Sequence, residues 1–131
     1  MKRIAILSGI ISAALAVVLG AFGAHGLKEK LDAGDLQVFE TAVRYQMYHA
    51  FALLVLGTAA VRLNEKFAMI SAWLFLTGII LFSGSLYLLS CQKLLGIEDW
   101  KFLGPVTPLG GICFISGWVL FLLAYTKNQQ I

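Results

Sequence analysis

Four long stretches without a charged residue fill most of this chain, and they constrain its fold more than any other feature. They cover residues 4–27, 45–61, 67–92 and 102–126. A helix needs about 20 apolar residues to cross the hydrocarbon core of a bilayer. A spanning segment must also satisfy its own backbone hydrogen bonds, which favours helices over open strands. The sequence therefore predicts an all-α, polytopic membrane protein built as a bundle of four transmembrane helices.

The composition supports this class and narrows the range of functions. Hydrophobic residues make up 60% of the 131 residues and charged residues only 13%, whereas about a quarter of a soluble domain is charged. The longest polar stretch, residues 28–44, is too short for a soluble catalytic domain. We predict one integral membrane domain over residues 1–131, with spans at about 4–26, 36–62, 67–92 and 105–126. No basic tract of the kind that contacts nucleic-acid phosphates is present.

Charges next to the spans bear on the orientation in the membrane. The apolar run after Lys2 and Arg3 exceeds the roughly 7–15 residues of a secretory signal core, so it is predicted to be the first transmembrane helix. With four spans, both termini share one side of the membrane. Five Lys and Arg residues fall on that side and five on the other, so the positive-inside rule gives a tie. We predict a multi-pass protein of the inner membrane with both termini in the cytoplasm.

At two helix starts the sequence contains residues that favour a helix N-terminus. Residues 32–35 form an expected turn, with Asp35 as the N-cap of an amphipathic helical segment that continues into span two. In span four, Thr107 is the expected N-cap and Pro108 the first helical residue. Span one carries a stripe of small residues, for which we expect an internal packing face: Ser8, Ser12, Ala16, Gly20 and Ala24.

Most of the notable polar residues lie toward the side opposite the termini, where they could converge into one site. Ionisable residues within membrane spans are costly and by default mark functional positions. Glu40 and Arg44 are four residues apart with the acid first, the favourable order for an ion pair on a helix. The candidate binding residues are His25, Glu40, Arg44, Tyr45, Tyr48, His49, Ser83, Ser85, Tyr87 and Thr107.

Three functional interpretations of this cluster compete with a structural one. His25 and His49 could share a metal ion, but two histidines are too few alone. The same histidines could relay protons or gate a solute, because their charge changes near neutral pH. Arg44 and the free N–H groups at the start of span four could hold an anion or a lipid headgroup. In the structural interpretation, the polar groups hydrogen-bond one another and lock the bundle.

Catalytic and cofactor motifs are missing from the sequence. It contains no HExxH, GxSxG or GxxxxGK[ST] pattern. An intramembrane hydrolase needs a nucleophile beside a base, and nothing in the spacing singles out a serine near His49 for that role. We therefore predict a chain that is not an enzyme and that has no cofactor, no metal site and no nucleic-acid partner.

Several segments resemble a known family. They are 20–27 (GAFGAHGL), 39–50 (FETAVRYQMYHA), 78–88 with FSGSLY at 82–87, 107–111 (TPLGG) and 117–118 (GW). Together they are similar to the YgdD/YwdK-type small bacterial inner-membrane proteins, a domain of unknown function that a eukaryotic transmembrane protein family also resembles. The resemblance covers nearly the whole chain and implies a four-helix inner-membrane protein. It implies no reaction, substrate or cofactor, although its motifs coincide with the polar cluster.

Two functions remain open at this point. The leading hypothesis is a non-enzymatic helix bundle that binds a lipid or a partner, or serves as an accessory subunit. Its partners would be the lipid bilayer and either another membrane protein or further copies of the chain. The alternative is a small-solute or ion transporter or channel that acts as an oligomer, with the His/Arg/Tyr cluster as its site.

Overall fold

The structure, a computed structural model, describes residues 1–128, and every regular element within that range is a helix. A 3-10 turn follows the second helix, and a π-helical turn interrupts the third long helix. In chain order the elements are α1 (Lys2–His25), α2 (Ala33–Thr58), the 3-10 turn (Ala60–Arg62), α3 (Glu65–Gly78), the π turn (Ile79–Ser83), α4 (Gly84–Ser90), α5 (Gln92–Leu95) and α6 (Leu103–Asn128).

Three of these helices are long and apolar enough to cross a membrane. They are α1, the continuous segment Glu65–Ser90 that contains α3, the π turn and α4, and α6. They correspond to the first, third and fourth predicted spans. α2 has 26 residues and is about 39 Å long, but it is not among the three because Arg44, Gln46 and His49 lower its hydropathy.

The start of α2 differs from the prediction. Asp32, not Asp35, is the N-cap, and its Oδ1 accepts a hydrogen bond of 2.8 Å from the Asp35 backbone N–H. The expected turn at 32–35 is therefore the first helical turn. Asp35 lies within that turn, where a carboxylate is favourable because the N-terminal end of a helix carries a partial positive charge.

The start of α6 also differs from the prediction. The helix begins at Leu103, so Thr107 is not its N-cap and Pro108 lies inside it. Pro105, rather than Pro108, lies in the first turn of α6. A missing N–H costs little there, because that N–H would have no partner within the helix. The hydroxyl of Thr107 instead meets Ser85 Oγ on α4, at 2.5 Å.

The helices do not contact one another evenly. α1 packs mainly on α2, α2 also packs on the π turn and α4, and α6 packs on α3 and the π turn. The main core lies between α2, α3 and α6 around Leu53, Leu56 and Phe75, which are fully buried. Among the openings in this arrangement are a groove between α1 and the segment Glu65–Ser90 and a cleft between α2 and α6.

Small residues on α1 let α2 approach closely, as expected for helices in lipid. A Cβ at Gly9 would lie 2.9 Å from Leu54 Cγ and 3.0 Å from the Ala50 carbonyl oxygen on α2. The predicted stripe is only partly the packing face, because Ser12 and Ala16 are buried whereas Ala24 is exposed. The buried side of α1 consists of Ala5, Gly9, Ser12, Ala16 and Gly23.

Candidate functional site

The predicted polar cluster does not form a single site. It divides into a set of hydrogen bonds between helices, an aromatic cleft between α2 and α6, and a charged groove between α1 and α2. His25 belongs to none of these and lies exposed at the end of α1. The three regions have different chemistry.

Gln46 is the centre of the buried hydrogen bonds. Its Nε2 donates to the Ser12 carbonyl on α1 at 2.9 Å, and its Oε1 accepts from the Tyr87 hydroxyl on α4 at 2.7 Å. The side chain is only 4% exposed. We call Gln46, Ser12 and Tyr87 the Gln46 clamp. It connects three helices through one amide, which is a structural role.

Three serines make further bonds between neighbouring segments. Ser83 Oγ donates to the Ala42 carbonyl on α2, and Ser71 Oγ donates to the Gly117 carbonyl on α6, both at 2.7 Å. Ser85 Oγ meets the Thr107 hydroxyl, and it also donates to the Phe82 carbonyl at 3.0 Å. Within residues 1–128, no buried side-chain nitrogen or oxygen atom lacks a hydrogen-bond partner. The predicted site residues Ser83, Ser85, Tyr87 and Thr107 thus hold helices together.

The aromatic cleft lies between α2 and α6, with the π turn at its base. Its volume is about 520 Å³, within the roughly 300–1,000 Å³ of small-molecule pockets. The cleft opens toward the surroundings of the bundle. We define it by its lining residues, which are Tyr45, Tyr48, His49, Phe82, Gly111, Phe114, Ile115 and Trp118.

His49 lies at the wall of this cleft, where one stacking contact and two hydrogen bonds hold its ring. Its ring stacks on Phe114, with the centroids 3.5 Å apart and the planes 6° from parallel. The Trp118 indole donates its N–H to His49 Nε2 at 3.2 Å. An indole nitrogen can only donate, so Nε2 must be the acceptor. The hydrogen then resides on Nδ1, which donates to the Tyr45 carbonyl at 2.7 Å.

This geometry defines what His49 can do. The ring is the neutral Nδ1–H tautomer, and both of its nitrogens are used. A metal ion or a proton at Nε2 would have to displace the Trp118 indole. Within residues 1–128, no three His, Cys, Asp or Glu side chains lie close enough to hold a metal ion.

The polar atoms at the cleft are few and belong to two tyrosines. Tyr45 is 38% exposed and Tyr48 is 53% exposed. Among residues 1–128, neither hydroxyl hydrogen-bonds to another protein group. The Tyr45 ring packs against the Phe82 ring, with the centroids 4.7 Å apart. The cleft is therefore an aromatic, largely apolar surface with two free hydroxyls near its edge.

The π turn places Phe82 in the cleft. One extra residue per turn widens the helix there, and such single π turns are frequent at functional sites. Gly110 on α6 faces the backbone of Phe82 so closely that a Cβ at this position would overlap it. The α6 helix therefore packs tightly against the π turn.

Glu40 and Arg44 lie on the outer surface, and the expected ion pair between them is absent. Within residues 1–128, the ion pairs are those of Lys93 with Asp32 and Asp35. The Arg44 guanidinium instead donates to the Thr41 hydroxyl, at 3.4 Å. Both side chains are exposed on α2.

The Lys93–Asp32 pair joins the two segments at the end of the bundle opposite the termini. Its atoms are 3.4 Å apart, and the side chains are 70% and 59% exposed. The N–H of Asp35 holds the pKa of the Asp32 carboxyl below its ordinary value of 3.8, and Lys93 lowers this pKa further. A pair exposed to this extent stabilises a fold little.

Sequence reasoning missed several residues that the structure brings to these sites, and four of them matter most. Gln46 was not among the candidate residues, and it is central to the buried network. Phe82, Phe114 and Trp118 line the cleft, although aromatic residues in apolar spans give no sign of their function. The spacing of Phe114 and Trp118, one helical turn apart, places them on one face and could have indicated a shared partner.

The comparisons with known proteins agree on a family. The model of the family described as protein of unknown function (DUF423) matches residues 19–111. The chain is 45% identical over 126 residues to the UPF0382 membrane protein YwdK of Bacillus subtilis (strain 168), covering 95% of this chain and 98% of the relative. A UPF0382 membrane protein of Staphylococcus aureus (strain bovine RF122 / ET3-1) is 42% identical over 127 residues, covering 95% and 97%. No solved structure matches the chain.

Proposed function

The chain belongs to the DUF423 family of membrane proteins of unknown function, and from this premise we propose that it is a non-enzymatic, four-span protein of the cell membrane that holds a lipid acyl chain in the aromatic cleft. The observation that carries the proposal is the cleft itself, with His49 fixed between Phe114 and Trp118.

The four-span arrangement requires α2 to cross the membrane. α2 is long enough for this, and its Gln46 side chain, the most polar group of its inner face, is fully hydrogen-bonded to the neighbouring helices. α2 then begins outside the hydrocarbon as the amphipathic segment that the sequence suggested. Lys and Arg residues next to the spans number five on each side, so the positive-inside rule gives a tie, and cytoplasmic termini are part of the proposal.

The position and lining of the cleft favour an acyl chain. It lies near the middle of α2 and α6, and therefore at the depth of the hydrocarbon in a four-span arrangement. Its wall offers aromatic faces and aliphatic groups, which fit an apolar ligand. The ring nitrogens of His49 are already paired, so a polar solute would gain no new hydrogen bond from them.

The same structure weighs against the alternative of a transporter. Apart from Ser71, the buried residues between the cleft and the terminal side are apolar, among them Ala52, Leu53 and Leu56 on α2 and Ala72 on α3. A solute or proton path needs polar groups or water along its length. The buried serines and Gln46 are instead used in bonds between helices.

Quenching of Trp118 fluorescence by lipids with brominated acyl chains tests the proposal. Trp73→Phe and Trp100→Phe leave Trp118 as the reporter at the cleft, and the full chain is reconstituted at increasing fractions of brominated phosphatidylcholine. A bound chain gives a saturable quenching component at low bromolipid fraction. Random lipid contact gives only the gradual quenching expected of any exposed tryptophan.

A matched pair of glycine substitutions on α6 provides the control. Gly111→Leu fills the cleft without a backbone clash, because the nearest atom to a Cβ there is Phe82 Cδ2 at 4.0 Å. Gly104→Leu adds the same side chain where nothing lies within 4 Å. We expect the saturable component to disappear in Gly111→Leu and to persist in Gly104→Leu. Gradual quenching in all variants, or saturable quenching that survives Gly111→Leu, would contradict acyl-chain binding in the cleft.

A further inference from the structure

Two opposite charges without a partner lie side by side on the outer surface of α2. Glu40 and Arg44 are both exposed, and no ion pair joins them. A Cβ on Gly20 of α1 would lie 3.3 Å from Val43 Cγ1, so Arg44 lies at the level of Gly20. That level is about 7–8 Å before the end of α1 at His25, by helical rise. A cation this far inside a span is costly without a partner.

The surface next to these charges is a groove shaped by small residues. It has a volume of about 230 Å³ between α1 and α2 and is lined by Gly20, Gly23, Phe39, Glu40, Val43 and Arg44. Gly20 and Gly23 bring α1 close to α2 beneath this groove, because a Cβ at these positions would lie 3.3 Å from Val43 Cγ1 and 2.8 Å from Phe39 Cε1. The groove therefore presents one acid and one base beside the close contact between α1 and α2.

We propose that this groove is the interface of a homodimer, in which the Arg44 guanidinium of each copy binds the partner's Glu40 carboxylate. A two-fold interface is self-complementary, because the same patch serves both subunits. One acid and one base at each patch give two reciprocal ion pairs. Arginine and carboxylate pair with two parallel hydrogen bonds, which suits a site away from water.

The depth of Arg44 and Glu40 along the membrane normal fits a two-fold dimer. The Arg44 guanidinium reaches the Thr41 hydroxyl at 3.4 Å, so it is held one helical turn back from its own Cα. This is the level of Glu40. In a dimer with its axis along the membrane normal, the two helices run in the same direction. Each guanidinium then lies at the depth of the partner's Glu40.

A lipid phosphate is the competing ligand for Arg44. A phosphate that approached the guanidinium along the groove would come near the Glu40 carboxylate, and two anions repel each other. Glu40 thus favours a partner that brings both a base and an acid. A second copy of the chain brings both at the required spacing.

Charge reversals tested in liposomes separate these possibilities. Copies of the full chain carry a donor or an acceptor fluorescent protein at the C-terminus, and energy transfer between them reports association. We expect transfer for the wild type and its loss in Glu40→Arg alone and in Arg44→Glu alone. Mixing Glu40→Arg donors with Arg44→Glu acceptors should restore transfer, because the two altered patches are complementary to each other.

The mixing step excludes an effect within one copy, since neither variant can restore an ion pair in its own chain. It also shows that each variant folds. Glu98→Arg and Lys101→Glu, on the exposed loop before α6, should retain wild-type transfer. The proposal is overturned by a wild type without transfer, by transfer that survives both single reversals, or by mixed reversals that fail to associate. A phosphatidylglycerol adduct that depends on Arg44 in native mass spectra of a 14.3 kDa monomer would identify a headgroup site instead.

Discussion

Polar side chains in the middle of the bundle and at its loop end contribute to this protein in different ways. In the middle, the Gln46 clamp and the serine hydroxyls connect one helix with another at 2.7–2.9 Å. At the loop end, residues 26–35 and 91–102, the Lys93–Asp32 pair is more than half exposed. The side chains at the loop end are charged and those in the middle are neutral, but only the buried groups leave a buried partner unpaired when they are removed. Burial, rather than polarity, therefore determines how much each side chain contributes to stability.

The largest effect is expected where α6 touches the π turn. In Gly110→Ala, the new Cβ overlaps the Phe82 backbone, which cannot move as a side chain can. We expect a loss of about 1–3 kcal/mol in the free energy of unfolding, typical of overpacking. Unfolding in detergent would measure this, with Gly104→Ala on the same helix as the control. Equal stability of the two variants would show that the contact between α6 and the π turn is looser than described.

Removal of the Gln46 clamp should have the next largest effect. Gln46→Leu leaves the Tyr87 hydroxyl without its acceptor. Hydrogen bonds between membrane helices average about 0.6 kcal/mol and reach about 1.7 kcal/mol, so we expect a loss in that range. Tyr87→Phe removes the orphaned hydroxyl, and the double variant should therefore be more stable than the sum of the single losses predicts. Strict additivity in this double-mutant cycle would mean that the two side chains are not coupled.

Substitution of His49 tests whether its ring or its hydrogen bonds matter more. His49→Gln keeps hydrogen-bonding capacity but loses the stacking on Phe114, which is worth about 0.5–1.5 kcal/mol for an aromatic pair. His49→Phe keeps the stacking and loses the bond to Trp118. We expect the Gln variant to be the less stable of the two in thermal unfolding. The opposite order would show that the bonds to Tyr45 and Trp118 dominate.

The smallest effect is expected at the loop end, at Asp32. The folded pKa of Asp32 is lowered, so its charged form stabilises the fold above pH 3.8, and this contribution is lost as the pH falls toward the folded pKa. Asn is also a good N-cap, so Asp32→Asn should keep the helix start while removing this acid dependence. Thermal unfolding of both proteins between neutral pH and acidic pH measures the difference. An identical loss of stability on acidification in both would mean that Asp32 contributes nothing measurable.

Much of the architecture follows from the sequence. The uncharged runs correctly predicted an all-α membrane protein and located α1, the segment Glu65–Ser90 and α6 as candidate spans. The helix starts could not be fixed from the sequence. Both Asp32 and Asp35 are suitable N-caps for α2, and both Pro105 and Pro108 suit the first turn of α6. Asp32 and Pro105 occupy these positions because the helices start earlier than the apolar pattern does.

The division of the polar residues into separate sites depends on tertiary structure. His49 and Trp118 are 69 residues apart in the chain, and nothing in their local sequence links them. In a soluble protein, hydrophobic periodicity identifies the buried face of each helix. In a membrane, lipid is as apolar as the core, so that signal is weak. The sequence thus determined that these helices belong in a bilayer, while the rotation of each helix about its own axis placed Gln46 inside, His49 in a cleft and Arg44 on the outer surface.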